Sequence, residues 1–377
     1  MHPAKPREPA RERLPGLDFL RACAIGLVVI WHFPASSLPF HWRPATWAGV
    51  DLFFVLSGYL IGAQLLKPYA RAARPSFGQF FIRRMLRVVP AYLAVLALYW
   101  LVPVFRGRAH LPPWWRLLTF TMNLGRDAGK TGAFSHAWSL CVEEHFYLIL
   151  PIVVWWLMRR PSFRRAVALA AGIIVGGMLL RAWIWCRYLH GFVAGPGESL
   201  SYRFLEYIYY PTYNRLDGLT VGVALAAIRL FRPLWWERAM TAGNRLLLAG
   251  LVVLAGAFWI CPGMFTFTTA VLGYPLLALG FGLVLVASLS PQCFLARRRF
   301  FGATLVATLS YTLYLTHKEI MHLDDLYLGG WIERAGAVRL GIYLATFFVA
   351  AEILHWAVEK QGFRLRDWWL ERRTPVL

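Results

Sequence analysis

The chain has 377 residues, of which 58% are hydrophobic and only 16% charged, and its formal net charge is +21. Soluble globular domains carry about 25% charged residues, so this composition excludes a soluble domain for most of the chain. The excess of Lys and Arg does not indicate a nucleic-acid partner, because short cytoplasmic loops of membrane proteins collect these residues. Eighteen Trp and sixteen Tyr residues are also typical of membrane interfaces. We therefore predict an all-α, polytopic protein of the lipid bilayer that binds no nucleic acid.

Two further features concern compartment and processing. The five cysteines are scattered and odd in number, so they indicate neither a disulfide framework nor a zinc site. The polar N-terminus, residues 1–16, precedes an apolar run that is not followed by a small-residue cleavage site. We interpret this run as a retained membrane span and not as a secretory signal.

The apolar segments set the domain organisation, because a membrane span needs about twenty mostly apolar residues. About ten segments are predicted to form one bundle with a central polar cavity, at 17–33, 46–66, 88–105, 136–158, 165–185, 213–231, 245–261, 265–289, 301–321 and 338–358. Most Lys and Arg residues fall in the segments on the side of the N-terminus, so the positive-inside rule places both termini in the cytoplasm. We therefore predict cytoplasmic tails over 1–16 and 359–377 and a transmembrane domain over 17–358.

Ionisable side chains inside the spans are costly and indicate function. At ~1.5 Å per residue, His32 lies ~22 Å from the start of the first span, in the outer half of a ~30 Å core. Arg21 precedes His32 by about three helical turns and shares its face. The other ionisable residues that we place near this depth are Asp51, Glu143, Glu144, Arg215, Asp217 and His317. We predict that they converge on one depth in the membrane.

Several readings of these residues stay open. A neutral imidazole such as that of His32 can take a proton from a hydroxyl, but a lone interior His is more often hydrogen-bonded to a carbonyl. The adjacent Glu143 and Glu144 point different ways on a helix, and a structural ion pair with Arg21 or Arg181 is an alternative role. A metal site built on the His and Glu residues of SHAWSLCVEEHF is disfavoured, because no pair has the His spacing of a helical zinc site.

Three other motifs carry weaker signals. FFIRRMLRVVP places Arg83, Arg84 and Arg87 before the third span, where guanidinium groups could bind phosphate oxygens or could serve topology alone. GVDLFFVLSGYLIG contains Ser57, but without a GxSxG motif its small residues favour close helix packing. In SYTLYLTH, the Tyr and Ser residues are predicted to join helices, with His317 as the one candidate participant in a site.

Together these segments resemble the acyltransferase-3 family, the integral-membrane acyltransferases that modify bacterial surface and secreted glycans. The resemblance covers residues from about 14 to 358 and rests on the ordered motifs GLDFLRACAIGLVVIWHF, GVDLFFVLSGYLIG, FFIRRMLRVVPAY, HAWSLCVEEHFYLILP, RLDGLTVGVALA and SYTLYLTHKEI. Arg21 and His32 match the family's pattern of Arg, ten residues, then His. One departure is His145, where the family commonly has Gln, and it puts the local hydrogen bonding in question.

The resemblance implies a reaction, its substrates and a location. An acyl-CoA, in the first place acetyl-CoA, would donate its acyl group to a hydroxyl of a glycan or lipid-linked sugar at the cytoplasmic membrane of a bacterium. No metal is expected, and any acceptor-side transferase would be a separate protein. His32 would be the general base or a transient acyl carrier. The predicted catalytic residues are His32, Glu143, Glu144 and Asp51, the three carboxylates being candidates to orient His32. The predicted donor-binding residues are Arg21, Arg83, Arg84 and Arg87, with Arg21 either binding the donor or holding Asp18.

The competing function is that of a transporter or flippase for an acyl donor or lipid-linked sugar. Polar residues at mid-membrane and a basic mouth would also serve proton coupling or anionic headgroups. Many secondary transporters have internal repeats, and none is visible here, so we favour the enzyme. Acyl transfer by the purified protein without any gradient would discriminate between the two.

Overall fold

The computed structural model describes residues 14–33, 43–107, 110–195, 198–334 and 338–372. It is 81% helical, and the described residues contain no strand, which confirms the all-α prediction. Most of the predicted N-terminal tail, residues 1–13, and the last residues of the predicted C-terminal tail, 373–377, lie outside the described residues.

Twelve helices of nine or more residues occur in the described part of the chain. They are α1 Pro15–His32, α2 Gly49–Ala70, α3 Phe77–Leu101, α4 Trp138–Arg159, α5 Phe163–Ile184, α6 Asp217–Phe231, α7 Pro233–Thr241, α8 Gly243–Ile260, α9 Tyr274–Leu289, α10 Ala303–Arg334, α11 Val338–Leu354 and α12 Lys360–Arg372. Each predicted span overlaps one of them.

The helices differ in whether their length and apolar composition suit a membrane span. In the described residues, seven helices are long and apolar enough to cross a membrane, namely α1, α2, α4, α5, α8, α9 and α11. The pair α6 and α7, bent by 106°, would make an eighth. Two predicted spans are not among these helices: α3, which carries Arg83, Arg84 and Arg87 in its first half, and α10, which carries many charged residues. The predicted count of ten spans is therefore approximate.

Local sequence accounts for several helix starts. Pro15 opens α1, where its missing N–H is no loss. Ser76 caps α3 by accepting a hydrogen bond from the Gln79 N–H at 3.3 Å, and Ser162 caps α5 in the same way.

Small residues allow α2 and α6 to pack closely. A Cβ on Gly58 would meet the Leu219 carbonyl, and a Cβ on Gly222 would meet the backbone of Val55 and Tyr59. The interpretation of the small residues in GVDLFFVLSGYLIG as packing residues is confirmed.

The long helix α10 is joined to its neighbours by tyrosine hydroxyls. Tyr311 donates to the Val88 carbonyl of α3 at 2.7 Å, and Tyr314 donates to the His136 carbonyl at 2.6 Å. These bonds confirm the predicted role of the SYTLYLTH motif. Since α10 also packs along α1, it brings His317 to the end of α1.

The predicted C-terminal tail begins with a helix that packs against the rest of the chain. In α12, Gly362 lies so close to the Leu86 carbonyl of α3 that a Cβ there would be 2.5 Å from this oxygen. The contact places α12 beside the basic first half of α3.

Candidate active site

A cavity of about 130 Å³ lies at the C-terminal end of α1. Two histidines, His32 and His136, lie on its wall. Its aromatic lining residues are Trp31, Trp47, Trp138, Tyr209, Tyr210, Phe265 and Tyr314. Aromatic faces combined with a few polar groups are typical of small-molecule sites.

The ring of His32 is held through one nitrogen. Its Nδ1 lies 2.8 Å from the Val28 carbonyl, one turn earlier in α1, and 3.3 Å from Nε2 of His317. Because a carbonyl oxygen only accepts, Nδ1 is the protonated nitrogen and donates to Val28. The neutral ring therefore carries its lone pair on Nε2, which is the arrangement that a general base needs.

His317 has the same tautomer for the same reason. Its Nδ1 donates to the carbonyls of Leu313 and Tyr314, at 3.0 and 2.9 Å, and its side chain is fully buried. Nε2 of His317 is consequently the nitrogen with the lone pair, and it faces Nδ1 of His32.

A third imidazole completes this histidine cluster, which we define as His32, His136 and His317. The ring centroid of His136 is 5.4 Å from that of His317, and Nε2 of His136 donates to the Leu315 carbonyl at 3.3 Å. Nδ1 of His136 is buried and has no hydrogen-bond partner within the described structure. In the described residues, no group of three or more His, Cys, Asp or Glu side chains has a geometry suited to a metal ion.

A loop before α4 is fastened beside the histidine cluster. Lys318 donates through Nζ to the Gly132 carbonyl at 3.0 Å and to Oγ of Ser135 at 2.5 Å. Since Lys318 follows His317 directly in α10, these bonds hold the loop and Ser135 against the cavity.

Asp51 lies in a different group, which consists of two buried ion pairs. Nη2 of Arg215 is 3.0 Å from Oδ1 of Asp51. Arg181 binds both carboxylate oxygens of Asp217, at 2.9 and 3.1 Å. These pairs join α2, α5 and α6 behind the cavity. The alternative role of Arg181 as a partner of the glutamates is therefore wrong.

Glu143 belongs to a third group, between α2 and α4. The Tyr147 hydroxyl donates to Oε2 of Glu143 at 2.7 Å and lies 2.7 Å from Oγ of Ser57. Because the single Tyr147 proton goes to the carboxylate, Ser57 must donate to Tyr147. Glu144 is buried as well, and Arg84 interacts electrostatically with both glutamates.

Arginines gather at the other end of α1. The charge of Arg21 interacts with those of Arg84 and Arg87, and its Nη1 lies 3.8 Å from Oδ1 of Asp18. The expectation that Arg21 could hold Asp18 is confirmed at this distance. Arg84 lies over the Tyr147 ring, 5.1 Å from its centroid. Arg83, on the same turn of α3, is half-buried. In the described chain, these three arginines of α3 form no direct ion pair with a carboxylate, so an anionic ligand could bind them.

The geometry thus divides the predicted catalytic residues into three groups, whereas the sequence placed them near one depth in the membrane. His32 meets His317, Asp51 meets Arg215, and Glu143 lies on the side of Arg84. Among the described residues, no carboxylate is hydrogen-bonded to His32, so neither Asp51 nor the two glutamates orient its ring in this structure.

His145, the departure from the family pattern, forms a bond between helices. Its Nδ1 lies 2.7 Å from Oγ1 of Thr212, which also accepts a hydrogen bond from Asn123 at 2.8 Å. His145 thus ties α4 to the loop that precedes α6.

Sequence reasoning missed two parts of the site. His136 entered only as a member of an unfavoured metal site, although it is the first residue of the predicted fourth span. Lys318 received no role, although a charge next to His317 inside a predicted span is a signal by itself.

Comparison with known proteins gives the class. The sequence model of the acyltransferase-3 family, which describes an acyltransferase domain, matches residues 14–356. The chain therefore belongs to the acyltransferase-3 family.

Two curated relatives show how far the similarity extends. The peptidoglycan O-acetyltransferase OatA of Listeria monocytogenes is 27% identical over 403 residues, which cover 97% of this chain and 60% of that protein. The O-acetyltransferase OatA of Staphylococcus aureus is 29% identical over 232 residues, 57% of this chain and 34% of that protein. The chain thus spans less than two thirds of the length of either relative. No solved structure matches the chain significantly.

Proposed function

We propose that the protein is a membrane-embedded O-acyltransferase that moves an acetyl group from acetyl-CoA to a hydroxyl of a glycan, with His32 as the general base. The observation that carries this proposal is the ring of His32, whose Nδ1 is fixed by Val28 and which lies on the wall of the cavity. A base must present a free lone pair to its substrate, and Nε2 of His32 is the nitrogen left free.

The proposed reaction transfers the acetyl group from the sulfur of CoA to a hydroxyl oxygen of the acceptor. Nε2 of His32 takes the proton from the acceptor hydroxyl, while the hydroxyl oxygen attacks the thioester carbonyl carbon. A C–O bond forms, the C–S bond breaks, and the electron pair leaves with the CoA sulfur. The imidazolium then gives its proton to the thiolate, so that His32 returns to its starting state and the products are an ester and CoA.

The arginines at the opposite end of α1 support a CoA donor. Arg21 and His32 are separated by eleven residues of one helix, or about 16 Å. Arg84 and Arg87 stand near Arg21, and their excess of positive charge suits the phosphates of CoA. An extended donor bound there would direct its thioester toward His32.

The cavity lining and the curated relatives support a glycan as the acceptor. Aromatic rings of Trp47, Trp138 and Tyr209 on the cavity wall suit the apolar faces of a sugar ring. The name of the Listeria monocytogenes relative specifies peptidoglycan. We therefore propose peptidoglycan or its lipid-linked precursor as the acceptor, in preference to lipopolysaccharide or an exopolysaccharide.

The proposal includes the orientation of the protein in the membrane. With both termini in the cytoplasm of a bacterial inner membrane, the arginine end of α1 faces the CoA pool and the cavity faces the acceptor. Reporter fusions after residues 72 and 334 test this orientation, because the two sites should lie on opposite sides of the membrane.

The decisive experiment is acyl transfer by the purified protein in detergent, without any ion gradient. With labelled acetyl-CoA and glycan fragments, the wild type should yield acetylated glycan by mass spectrometry. His32→Ala should abolish the product, while His190→Ala, which alters an exposed histidine, should not. A fully active and well-folded His32→Ala variant would overturn the mechanism. A wild type that moves an intact substrate across vesicles but transfers no acyl group would overturn the enzyme in favour of a transporter.

A further inference from the structure

His317 stands beside His32 at the position that the sequence assigned to a carboxylate. Its Nε2 is 3.3 Å from Nδ1 of His32, and the two rings meet edge to face with centroids 4.9 Å apart. We propose that His317 is a positioning residue for the acyl-transfer step, which holds the ring of His32 and stabilises it after the proton has moved. This inference rests on the proposed role of His32.

One proton of His32 is shared between two acceptors. Nδ1–H of His32 faces the Val28 carbonyl and the lone pair on Nε2 of His317. The hydrogen bond to the Val28 carbonyl is formed within α1, and by itself it leaves the ring of His32 free to rotate about this bond. The second acceptor comes from α10, so the two together fix the plane of the ring.

His317 is itself held in place by hydrogen bonds and packing. Two carbonyls of its own helix, those of Leu313 and Tyr314, accept from its Nδ1–H, and its side chain is 0% exposed. Exchange of the two ring nitrogens would break both bonds. The rings of His136 and Tyr314 pack around it, with centroids 5.4 and 6.0 Å away. Its Nε2 is therefore a rigid acceptor.

The charge of the His32 ring changes during the proposed reaction. After Nε2 of His32 takes the acceptor proton, both of its ring nitrogens are protonated and the ring is positive. Nδ1–H then becomes a charge-assisted donor, and such bonds are roughly twice as strong as neutral ones. The bond to His317 therefore strengthens as the proton moves, which lowers the barrier and leaves substrate binding unaltered.

The test compares two substitutions at one position. His317→Phe keeps a ring but removes the acceptor, whereas His317→Gln places an amide oxygen near the site of Nε2. We expect His317→Phe to lower kcat by about 10- to 100-fold with KM changed less than about twofold. His317→Gln should restore most of this loss. The matched control is His322→Phe, the same change at an exposed position of α10, and it should leave kcat unaltered.

The outcomes separate this inference from the proposed function. If His32→Ala is inactive but His317→Phe equals the wild type, or if His317→Gln is no better than His317→Phe, the positioning role is wrong and the function stands. An active His32→Ala variant would instead remove the function. If His317→Phe does not fold, the smaller His317→Leu takes its place in the same comparison.

A second readout needs no turnover. In selectively labelled protein, the 15N shifts of neutral His32 and His317 should both show a protonated Nδ1 and an unprotonated Nε2. The His317→Phe variant should broaden or shift the His32 Nδ1 signal. A His32 ring protonated at Nε2 in the resting wild type would overturn the inference.

Discussion

Arg215 and Asp51 form an ion pair with 0% and 6% of their side chains exposed, and Nη2 of Arg215 lies 3.0 Å from Oδ1 of Asp51. The guanidinium group also lies over the ring of Tyr274, 3.8 Å from its centroid. Since Asp51 belongs to α2 and Arg215 stands just before α6, the pair connects two helices behind the cavity. Burial of two charges costs about as much as their attraction returns, so such a pair adds little net stability although loss of one partner is costly.

Asp51→Ala should therefore act mainly on stability. The variant leaves Arg215 buried without its partner, and loss of one member of such a pair is destabilising by about 3–5 kcal/mol. We expect a lower unfolding temperature in detergent, while the kcat of the folded fraction stays near that of the wild type. Thermal unfolding combined with acyl-transfer assays measures both quantities.

The control is the double variant Asp51→Ala with Arg215→Met. It removes both charges, so it should be more stable than Asp51→Ala alone. A large loss of kcat in a stable Asp51→Asn variant would contradict this assignment and return Asp51 to the catalytic group.

The arginine cluster at the start of α3 predicts a selective effect on the donor. Arg84 and Arg87 stand near Arg21 and form no direct ion pair with a described carboxylate. A charge-assisted hydrogen bond contributes about 1.5–3 kcal/mol, so Arg84→Gln should raise KM for acetyl-CoA by about 10- to 100-fold. KM for the glycan should change little. Arg164→Gln, at an exposed position near the start of α5, is the matched control.

The sequence predicts that Arg83 also binds the donor, and the double variant Arg83→Gln with Arg84→Gln tests this role. If both residues contact phosphate, the double variant should exceed Arg84→Gln alone. Equal increases in KM for donor and glycan would show that the arginines act on the fold and not on the donor.

The chain of hydroxyls from Ser57 through Tyr147 to Glu143 predicts a coupled response. Tyr147→Phe removes the bond to the Glu143 carboxylate and the bond to Ser57, and Glu143 remains as the partner of Ser57. A hydrogen bond contributes about 0.5–1.5 kcal/mol to stability, so the variant should unfold at a lower temperature. The combination Ser57→Ala with Tyr147→Phe should then add less than the sum of the single changes. Additive effects would show that the three residues do not act as a chain.

Helix positions were largely accessible from sequence, because the signal is a run of apolar residues about as long as the bilayer is thick. Each predicted span overlaps a helix. The predicted count differs at the two helices that carry several charges, namely α3 with Arg83, Arg84 and Arg87, and α10 with Lys318. Hydropathy reports exposure to lipid, whereas these helices are partly sheltered by protein.

The pairing of polar residues could not be obtained from depth alone. Asp51 and His32 are both near the outer ends of their predicted spans, yet they belong to different groups because depth leaves the rotation of each helix undetermined. Asp51, which lies in α2, faces Arg215, whereas His32 of α1 faces His317 of α10. His317 as partner of His32 depends on the contact of α1 with α10, 285 residues apart in the chain, and no local spacing encodes it.

Glu206 lies in the segment between α5 and α6, outside the predicted spans. Its environment predicts that the folding stability of the protein depends on pH. Burial raises the pKa of this carboxyl above its usual value of 4.5, although the Ala128 N–H donates to its Oε1 at 2.7 Å and opposes the shift. A carboxyl with a raised pKa binds its proton more tightly in the folded state than in the unfolded state. Folding stability therefore falls as pH rises from 4.5 through the raised pKa. Glu206→Gln keeps an oxygen that accepts from Ala128 and removes the titration. The difference in unfolding temperature, variant minus wild type, should then grow as pH rises from 4 to about 8.

The neighbouring Asp127 supplies a control of opposite sign. Its hydrogen bond with Lys130 lowers the pKa of the Asp127 carboxyl from 3.8, so the stability that it contributes is present at higher pH and is lost as pH falls. Asp127→Asn should therefore become less stable than the wild type as pH rises, the reverse of Glu206→Gln. If the Glu206→Gln difference does not vary with pH while the Asp127→Asn difference does, the ionised form of Glu206 carries no penalty and its burial does not govern the pH response of this loop.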